Sequence, residues 1–312
     1  MDVSVIIVTR NTCALTRAAV QSVLDSHDLP AMEILVVDNG STDDTASVLP
    51  REFPQIQFIR PEKNLGFARA CNLAAKQAGG EFLLLLNSDA RLAPEALARA
   101  VAWMRGRPDC AVAGARLLNT DGSRQNSIAN FPTLATELLN KSLLRRLRPG
   151  RFPGKEHDFR EPVEVETVVG AFMLIRKAAW DALGGLDERY FFFFEETDFC
   201  LRARRKGFHV FHLPEAAVWH GQGQTAGQVS IGARIEYWRS RYAYFKKYHG
   251  MGTRLVLFCG LLVRLLADAL ASGFVTLLTL GNSRRWREKF AVQRALLAWH
   301  CRGCPKHLGL PR

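Results

Sequence analysis

The sequence predicts an α/β protein, a mostly parallel sheet flanked by helices and followed by a helical, basic C-terminal extension. Strand-like and helix-like apolar runs alternate through the first 110 residues with short connections, the pattern of a parallel sheet covered on both faces. The run Phe82-Leu83-Leu84-Leu85-Leu86 is apolar at every position, as in a strand buried on both sides, and it breaks off at Asn87-Ser88-Asp89. Beyond Gly223 the alternation gives way to helical patterning, and basic charge gathers there.

In order, strands are expected over 3–8, 33–37, 56–59 and 82–86, and helices over 16–24, 42–49 and 66–78. Ser41, with Asp43 and Asp44 behind it, is expected to cap the helix at 42. A helix over 95–104, opened by Pro94, and a strand over 111–114 follow. Residues 119–162 are polar, Arg-rich and proline-bearing, with one apolar helix expected over 134–147; they read as an insertion shaping an acceptor surface. Regular structure resumes over 165–176, and a short helix over 178–183 stops at Gly184-Gly185.

With 312 residues, 48% of them hydrophobic and 23% charged, the chain can bury a sizeable core, which excludes a disordered protein. Met1-Asp2 runs straight into a strand with no basic flank or cleavage pattern, so no signal peptide is expected and the catalytic part should stay in the cytosol. Seven isolated cysteines argue for reduced thiols, and His300-Cys301 to Cys304 and His307 lacks the second knuckle of a strong zinc site. The net charge of +12 resides in the tail, where 15 Lys/Arg from Arg234 onward face three acids. Because that tail is also apolar, it favours an anionic membrane surface over nucleic acid. The run 255–280 is long enough to span a bilayer, but Arg264 and Asp268 near its middle, on a stripe with Ser272, suit a helix lying on the membrane with those three residues on its wet face. The expected division is a catalytic domain over 1–225 and a helical membrane-associated region over 226–312.

Several polar groups stand where open α/β sheets bind ligands, at the carboxyl ends of strands. Asp38 ends the second strand and can accept a base N–H or a ribose hydroxyl; the same Val37-Asp38-Asn39-Gly40-Ser41 turn also reads as ordinary capping. Asp89 follows the fourth strand, and a divalent cation held by one or two carboxylates would neutralise a diphosphate leaving group. Hard oxygen ligation suits Mg²⁺ or Mn²⁺, and a His in the same shell tilts the choice toward Mn²⁺. His220 closes the run Ala216-Ala217-Val218-Trp219-His220 just before the loop Gly221-Gln222-Gly223-Gln224. Glu195-Glu196-Thr197-Asp198 follows four phenylalanines; acids at a helix start are favourable in themselves, but apolar neighbours also raise a carboxylate's pKa and make it a better base.

Taken in order, these pieces resemble the inverting nucleotide-sugar glycosyltransferases of family 2, with their Rossmann-like GT-A fold, and especially the rhamnosyltransferase-like bacterial branch. The resemblance rests on Val5-Ile6-Ile7-Val8-Thr9-Arg10-Asn11, Val37-Asp38-Asn39-Gly40-Ser41-Thr42-Asp43, Asn64-Leu65-Gly66-Phe67-Ala68-Arg69-Ala70-Cys71-Asn72, Leu86-Asn87-Ser88-Asp89, Gly184-Gly185-Leu186-Asp187-Glu188, the acidic cluster and Trp219-His220. It implies that Thr9, Asn11 and Asp38 face the nucleotide base and ribose, and that Asn64 and Gly66 lie near the ribose and diphosphate. Asp89 would be the metal-binding acid of the family's Asp-x-Asp element. Asn87 replaces the usual first Asp and is placed with the nucleotide-sugar-binding residues. The catalytic base falls on Glu196, with Glu195 as the alternative; His220 would complete the metal shell, and Asp187 and Asp198 would shape the acceptor pocket.

The expected activity is inverting transfer of L-rhamnose from dTDP-rhamnose, or of galactofuranose or a hexose from a UDP-sugar, to a lipid-linked or polysaccharide acceptor at the cytoplasmic face of the inner membrane. Two readings compete. A degenerate scaffold would not need Asp38, Asp89, Glu196 and His220, and a nucleotidyltransferase would carry a Gly-rich basic loop where this chain has Thr9-Arg10-Asn11-Thr12-Cys13.

Overall fold

A computed structural model describes residues 1–27, 31–154, 157–221 and 230–312. Strands β1 (Val3–Thr9), β2 (Met32–Asp38), β3 (Gln57–Ile59) and β4 (Phe82–Asn87) pair in parallel in the order β3-β2-β1-β4. Helices α1 (Cys13–Leu24), α2 (Thr45–Glu52) and α3 (Phe67–Ala75) connect them. Leu83, Leu84 and Leu86 have no solvent exposure, because layers of apolar side chains cover both faces of the sheet. That burial accounts for a strand without polar alternation.

The sheet continues through β5 (Ala90–Leu92), α4 (Ala96–Arg105), β6 (Cys110–Leu118), β10 (Phe172–Arg176) and β11 (His209–His220). β10 lies antiparallel between β4 and β6, while β11 runs parallel to β6 and antiparallel to β5. β11 shifts register on β6 between Leu213 and Ala217, where Pro214 offers no N–H to the ladder. Between β6 and β10 lie β7 (Ile128–Ala129), the short helices α5 (Leu134–Leu138) and α6 (Lys141–Leu147), β8 (Val163–Glu164) and β9 (Thr167–Val168). The single helix expected over 134–147 is thus two: Leu139 turns extended, and the Asn140 side chain caps a new helix by accepting from the Ser142 and Leu143 N–H groups.

α7 (Lys177–Leu183) ends at Gly184, which takes the left-handed conformation at φ 72° as expected of a helix C-terminus. α8 (Glu195–Arg205) is followed, after β11, by α9 (Ser230–Tyr248), α10 (Met251–Leu278) and α11 (Arg284–Cys301). Tyr190 and Phe194 pack with Tyr244, Phe245, Leu257 and Leu261, so α9 and α10 share a core with the entry to α8. The expected loop at 222–224 and the expected division at 225/226 lie outside the described residues.

Two expectations, one of a cap and one of a helix face, are corrected. α2 begins at Thr45, not at 42, and the Asp43 side chain accepts from the Thr45 N–H; the Ser41 hydroxyl is instead used by the Asn11 N–H at 2.9 Å. On α10 the buried stripe is Leu257, Leu261, Leu265, Ala269 and Ser272, so Ser272 faces the protein and donates to the Asp268 carbonyl rather than to solvent.

Candidate active site

The parallel strands end side by side. Thr9 pairs with Asp38 across β1 and β2, and Val8 with Asn87 across β1 and β4, so the three strands deliver their polar ends to one edge. β5 then turns back along β11, His220 pairs with Ala90, and the Gly221 N–H donates to the Asp89 carbonyl. This pairing is why two residues 131 positions apart meet: His220 Nε2 lies 3.3 Å from Asp89 Oδ1 and 3.4 Å from Asn87 Nδ2.

Gln125 sets the His220 ring. Its Nε2 donates to the His220 carbonyl oxygen at 2.6 Å, which turns its Oε1 toward His220 Nδ1 at 3.0 Å. Nδ1 therefore donates to Gln125, and in the neutral ring Nε2 presents a lone pair toward Asp89. An imidazole lone pair beside a carboxylate oxygen is electrostatically satisfied by a cation between them, so the donor set fits a divalent metal. Asp89, His220 and the Asn87 carboxamide are the residues that could hold it; among the described residues no cluster of three or more His, Cys, Asp or Glu side chains occurs. A site with few protein ligands leaves room for diphosphate oxygens.

Asn87 also borders a cavity of about 170 Å³ walled by Phe67, Phe192, Phe193, Glu195 and Glu196. Phe193 and Phe194 hold φ of 71° and 73°, a costly conformation for aromatic residues, and thereby start α8 with both glutamates at the cavity. Burial raises the Glu195 carboxyl well above its ordinary range, and the Glu196 charge adds to this; Glu195 Oε2 has no hydrogen-bond partner. Burial also raises Glu196, against opposing hydrogen bonds from its own and the Thr197 backbone. Glu196 is the more open of the two, and the Thr197 hydroxyl lies 3.5 Å from its carboxylate. A protonatable pair in an aromatic cavity can accept a proton from a hydroxyl there.

A second pocket, of about 120 Å³, shares the Phe67 and Phe192 wall and is bordered by Thr9, Asn11, Asn39, Asn64, Gly66 and Ser88. Asn64 accepts from the Gly66 N–H, and Gly66 at φ 78° sits so close to Phe191 that a Cβ would fall 2.5 Å from its carbonyl oxygen. Asp38 is fully buried: Oδ1 accepts from the Ser41 N–H, while Oδ2 has no hydrogen-bond partner and only Arg60 Nε at 3.3 Å. The Thr9 hydroxyl is shared with Thr12 and Thr16 at 2.9 and 2.7 Å, so Thr9 forms the pocket wall while its hydroxyl is committed inward.

Asp187 and Asp198, expected to shape an acceptor pocket, are both engaged by partners within the protein. Asp198 is fully buried and accepts from Arg202, Lys247, Tyr190 and Tyr248; Asp187 pairs with Lys247 and Arg189. Burial raises both tyrosines, which keeps them phenols able to donate. Through Lys247 the two aspartates tie α9 to α8 and to the segment before it.

Two features escaped the sequence reading. One is Gln125, an ordinary polar residue in a polar insertion. The other is the last stretch of chain: Leu310 borders the second pocket, Asn64 Nδ2 donates to the Pro311 carbonyl, and the Arg312 guanidinium lies 4.7 Å over the Phe191 ring. Nothing in spacing or hydropathy ties those residues to a site near the first strands.

Residues 4–184 match the family model described as Glycosyl transferase family 2. An N-acetylglucosaminyl-diphospho-decaprenol L-rhamnosyltransferase of Mycobacterium tuberculosis is 25% identical over 234 residues, covering 70% of this chain and 76% of that protein. The uncharacterized protein y4gI of Sinorhizobium fredii is 27% identical over 253 residues, 78% of this chain, but the chain spans only 27% of that protein's length. Among solved structures, a Pyrobaculum calidifontis mannosyltransferase in complex with GDP-Man and Mn²⁺ superposes with a TM-score of 0.55 at 18% identity, over 96% of this chain and 86% of that one, a likeness of fold alone. With its strand-end polar groups and paired glutamates, this chain belongs to glycosyl transferase family 2 and is a glycosyltransferase of the GT-A fold.

Proposed function

We propose that this glycosyltransferase moves L-rhamnose from dTDP-rhamnose, with inversion, to a hydroxyl of a lipid-linked cell-envelope acceptor. The observation that carries the proposal is Asn87, which borders the cavity of Glu195 and Glu196 and also touches His220, the partner of Asp89. One side of that residue suits a leaving diphosphate, the other an attacking hydroxyl. The donor identity draws on the mycobacterial relative, which is named a rhamnosyltransferase acting on a diphospholipid.

The pocket of Asn11, Asn64 and Gly66 would take the nucleotide, with Asp38 Oδ2, which the Arg60 ion pair leaves without a hydrogen bond, accepting from it. Glu196 would remove the acceptor hydroxyl proton; that oxygen bonds to the anomeric carbon from the face opposite the diphosphate, and the carbon–oxygen bond to the diphosphate breaks with its electron pair going to the leaving oxygen. A bound Mg²⁺ or Mn²⁺ supplies positive charge to the departing diphosphate. Phe67 and Phe192 keep water from competing as nucleophile.

Residues 1–225 would form the catalytic unit and 226–312 its membrane attachment, lying on the cytoplasmic face of the inner membrane. α10 is apolar and long enough to cross a bilayer, yet one stripe is buried against the protein while Leu270 and Leu277 are more than 70% exposed. A helix packed on one side and bare on the other suits insertion to the depth of the acyl boundary.

Calorimetric titration of wild type and Asp89→Ala with dTDP-rhamnose, UDP-galactofuranose, UDP-glucose and GDP-mannose, with and without Mn²⁺, tests the assignment. Binding of dTDP-rhamnose that weakens without Asp89 or the ion is expected. Selective binding of a UDP-sugar would replace the donor, and no binding by folded protein to any of the four would overturn the site.

A further inference from the structure

Apart from the two pockets at the strand ends, the molecule holds a groove of about 1450 Å³ between the insertion helix α5 and the C-terminal helices α9, α10 and α11. Its volume exceeds the ~300–1,000 Å³ of sites for compact ligands, so it suits an extended one. Its floor is apolar: Leu261 and Leu265 from α10, Leu296 from α11 and Trp238 from α9. Its rim is cationic, with seven Lys/Arg side chains against three carboxylates. Arg241 is paired with Glu137 and Arg284 with Glu288, but Lys141, Arg234, Arg285 and Lys289 have no carboxylate within ion-pair distance among the described residues.

An apolar floor under unpaired cations fits a molecule with an anionic head and a hydrocarbon tail. Nucleic acid would meet the cations but gain nothing from the floor. The groove also lies next to the cavity of the two glutamates. Tyr237 forms part of its wall and packs edge-on against Phe193 at 5.4 Å, and Phe193 in turn walls the cavity of Glu195 and Glu196. One pair of rings separates groove and base. On its other side α10 offers its bare apolar face, so the groove lies beside the surface expected to meet the membrane.

We infer that the groove seats the lipid part of the acceptor, a long-chain lipid diphosphate whose diphosphate meets Arg234, Arg285 and Lys289 while the first stretch of chain lies over Leu261, Leu265 and Leu296. This deepens the proposed function and rests on it for the sugar carried by that lipid. Arg264 and Asp268, polar residues within an apolar helix, are accounted for as groove-lining groups.

The test uses the full chain and neutral phosphatidylcholine vesicles doped with a polyprenyl diphosphate. The charge-reversed pair Arg285→Glu/Lys289→Glu removes groove cations; Arg287→Glu/Arg294→Glu changes the same charge on the same helix at exposed positions off the groove. The groove pair should lose about tenfold or more in affinity for doped vesicles, and the control pair about twofold or less. Equal losses in both pairs, which is attraction to any anionic surface, or no loss in either, would overturn the inference. Calorimetry with the donor panel on the same variants separates the two proposals: unchanged donor binding with lost vesicle binding locates the effect in the groove, whereas absent donor binding with intact groove-dependent vesicle binding would remove the donor reading and leave the lipid site standing.

Discussion

Gln125 and His220 hold each other by two contacts, side-chain amide to carbonyl oxygen and amide oxygen to ring nitrogen. The pair fixes the tautomer that aims Nε2 at Asp89. Such supporting partners are typically worth 10- to 100-fold in metal affinity, so Gln125→Ala should weaken Mn²⁺ binding by about that factor. Gln125→Glu, which keeps an acceptor at Nδ1, should recover part of it. Mn²⁺ titration monitored by electron paramagnetic resonance checks both; wild-type affinity in Gln125→Ala would separate the clamp from metal binding.

Glu196 and Glu195 border one cavity but differ in access. Glu196→Gln should lower kcat by about 10²–10⁴ while leaving the donor dissociation constant unchanged, the expected loss of a general base. Glu195→Gln should cost far less in rate and raise thermal stability at neutral pH, since it removes a buried ionisable group lacking a hydrogen-bond partner on one oxygen. Steady-state kinetics beside donor calorimetry decides between them, and the reverse pattern would transfer the base to Glu195.

The raised carboxyls fix the sign of two pH dependences. A base acts deprotonated, so kcat/KM should climb as pH rises through an apparent carboxyl pKa above the ordinary 4.5, the two groups titrating as a pair. For stability the folded state holds these protons more tightly than the unfolded chain. Their contribution is therefore fully present below 4.5 and is lost as pH rises through the raised values. Glu195→Gln should flatten that decline. A pH–rate profile and a melting series across pH 4 to 8 would show both slopes, and a rate already at its plateau near pH 4.5 would contradict the first.

The parallel half of the fold was legible because its cause is local. A strand buried on both faces must be apolar throughout, and Leu83 to Leu86 advertise this without tertiary information. β10 was legible as structure but not as direction, because an antiparallel strand buried on both faces carries the same residues as a parallel one. Asp89 and His220 could be proposed one at a time from strand ends; their meeting depends on β5 returning along β11. Ser41 was misjudged because a hydroxyl before acids can cap a helix or serve a distant N–H, and the Asn11 N–H won. The partners of Asp198 were not legible for a related reason: acids at a helix start satisfy local electrostatics whether they face a pocket or a lysine 49 residues away.

Asp198 supplies the last test, because its environment separates structure from chemistry. It accepts from one guanidinium, one ammonium and two phenols with no solvent exposure, so no water can replace a lost partner. Removing one member of a buried ion pair strands the others, at a typical cost of ~3–5 kcal/mol. Asp198→Ala leaves Arg202 without its carboxylate and Lys247 with Asp187 alone, and should fall in that range. Lys247→Met leaves Asp198 with Arg202 and should cost less. The double variant should cost less than the two single losses added, because the charge that each change strands is partly removed by the other. Denaturant unfolding measures all three. Donor affinity in the folded fraction should stay at the wild-type value, since neither residue borders the nucleotide pocket. A loss of donor or acceptor binding with unfolding free energy intact would restore Asp198 to the substrate site and undo its assignment as the clamp between α8 and α9.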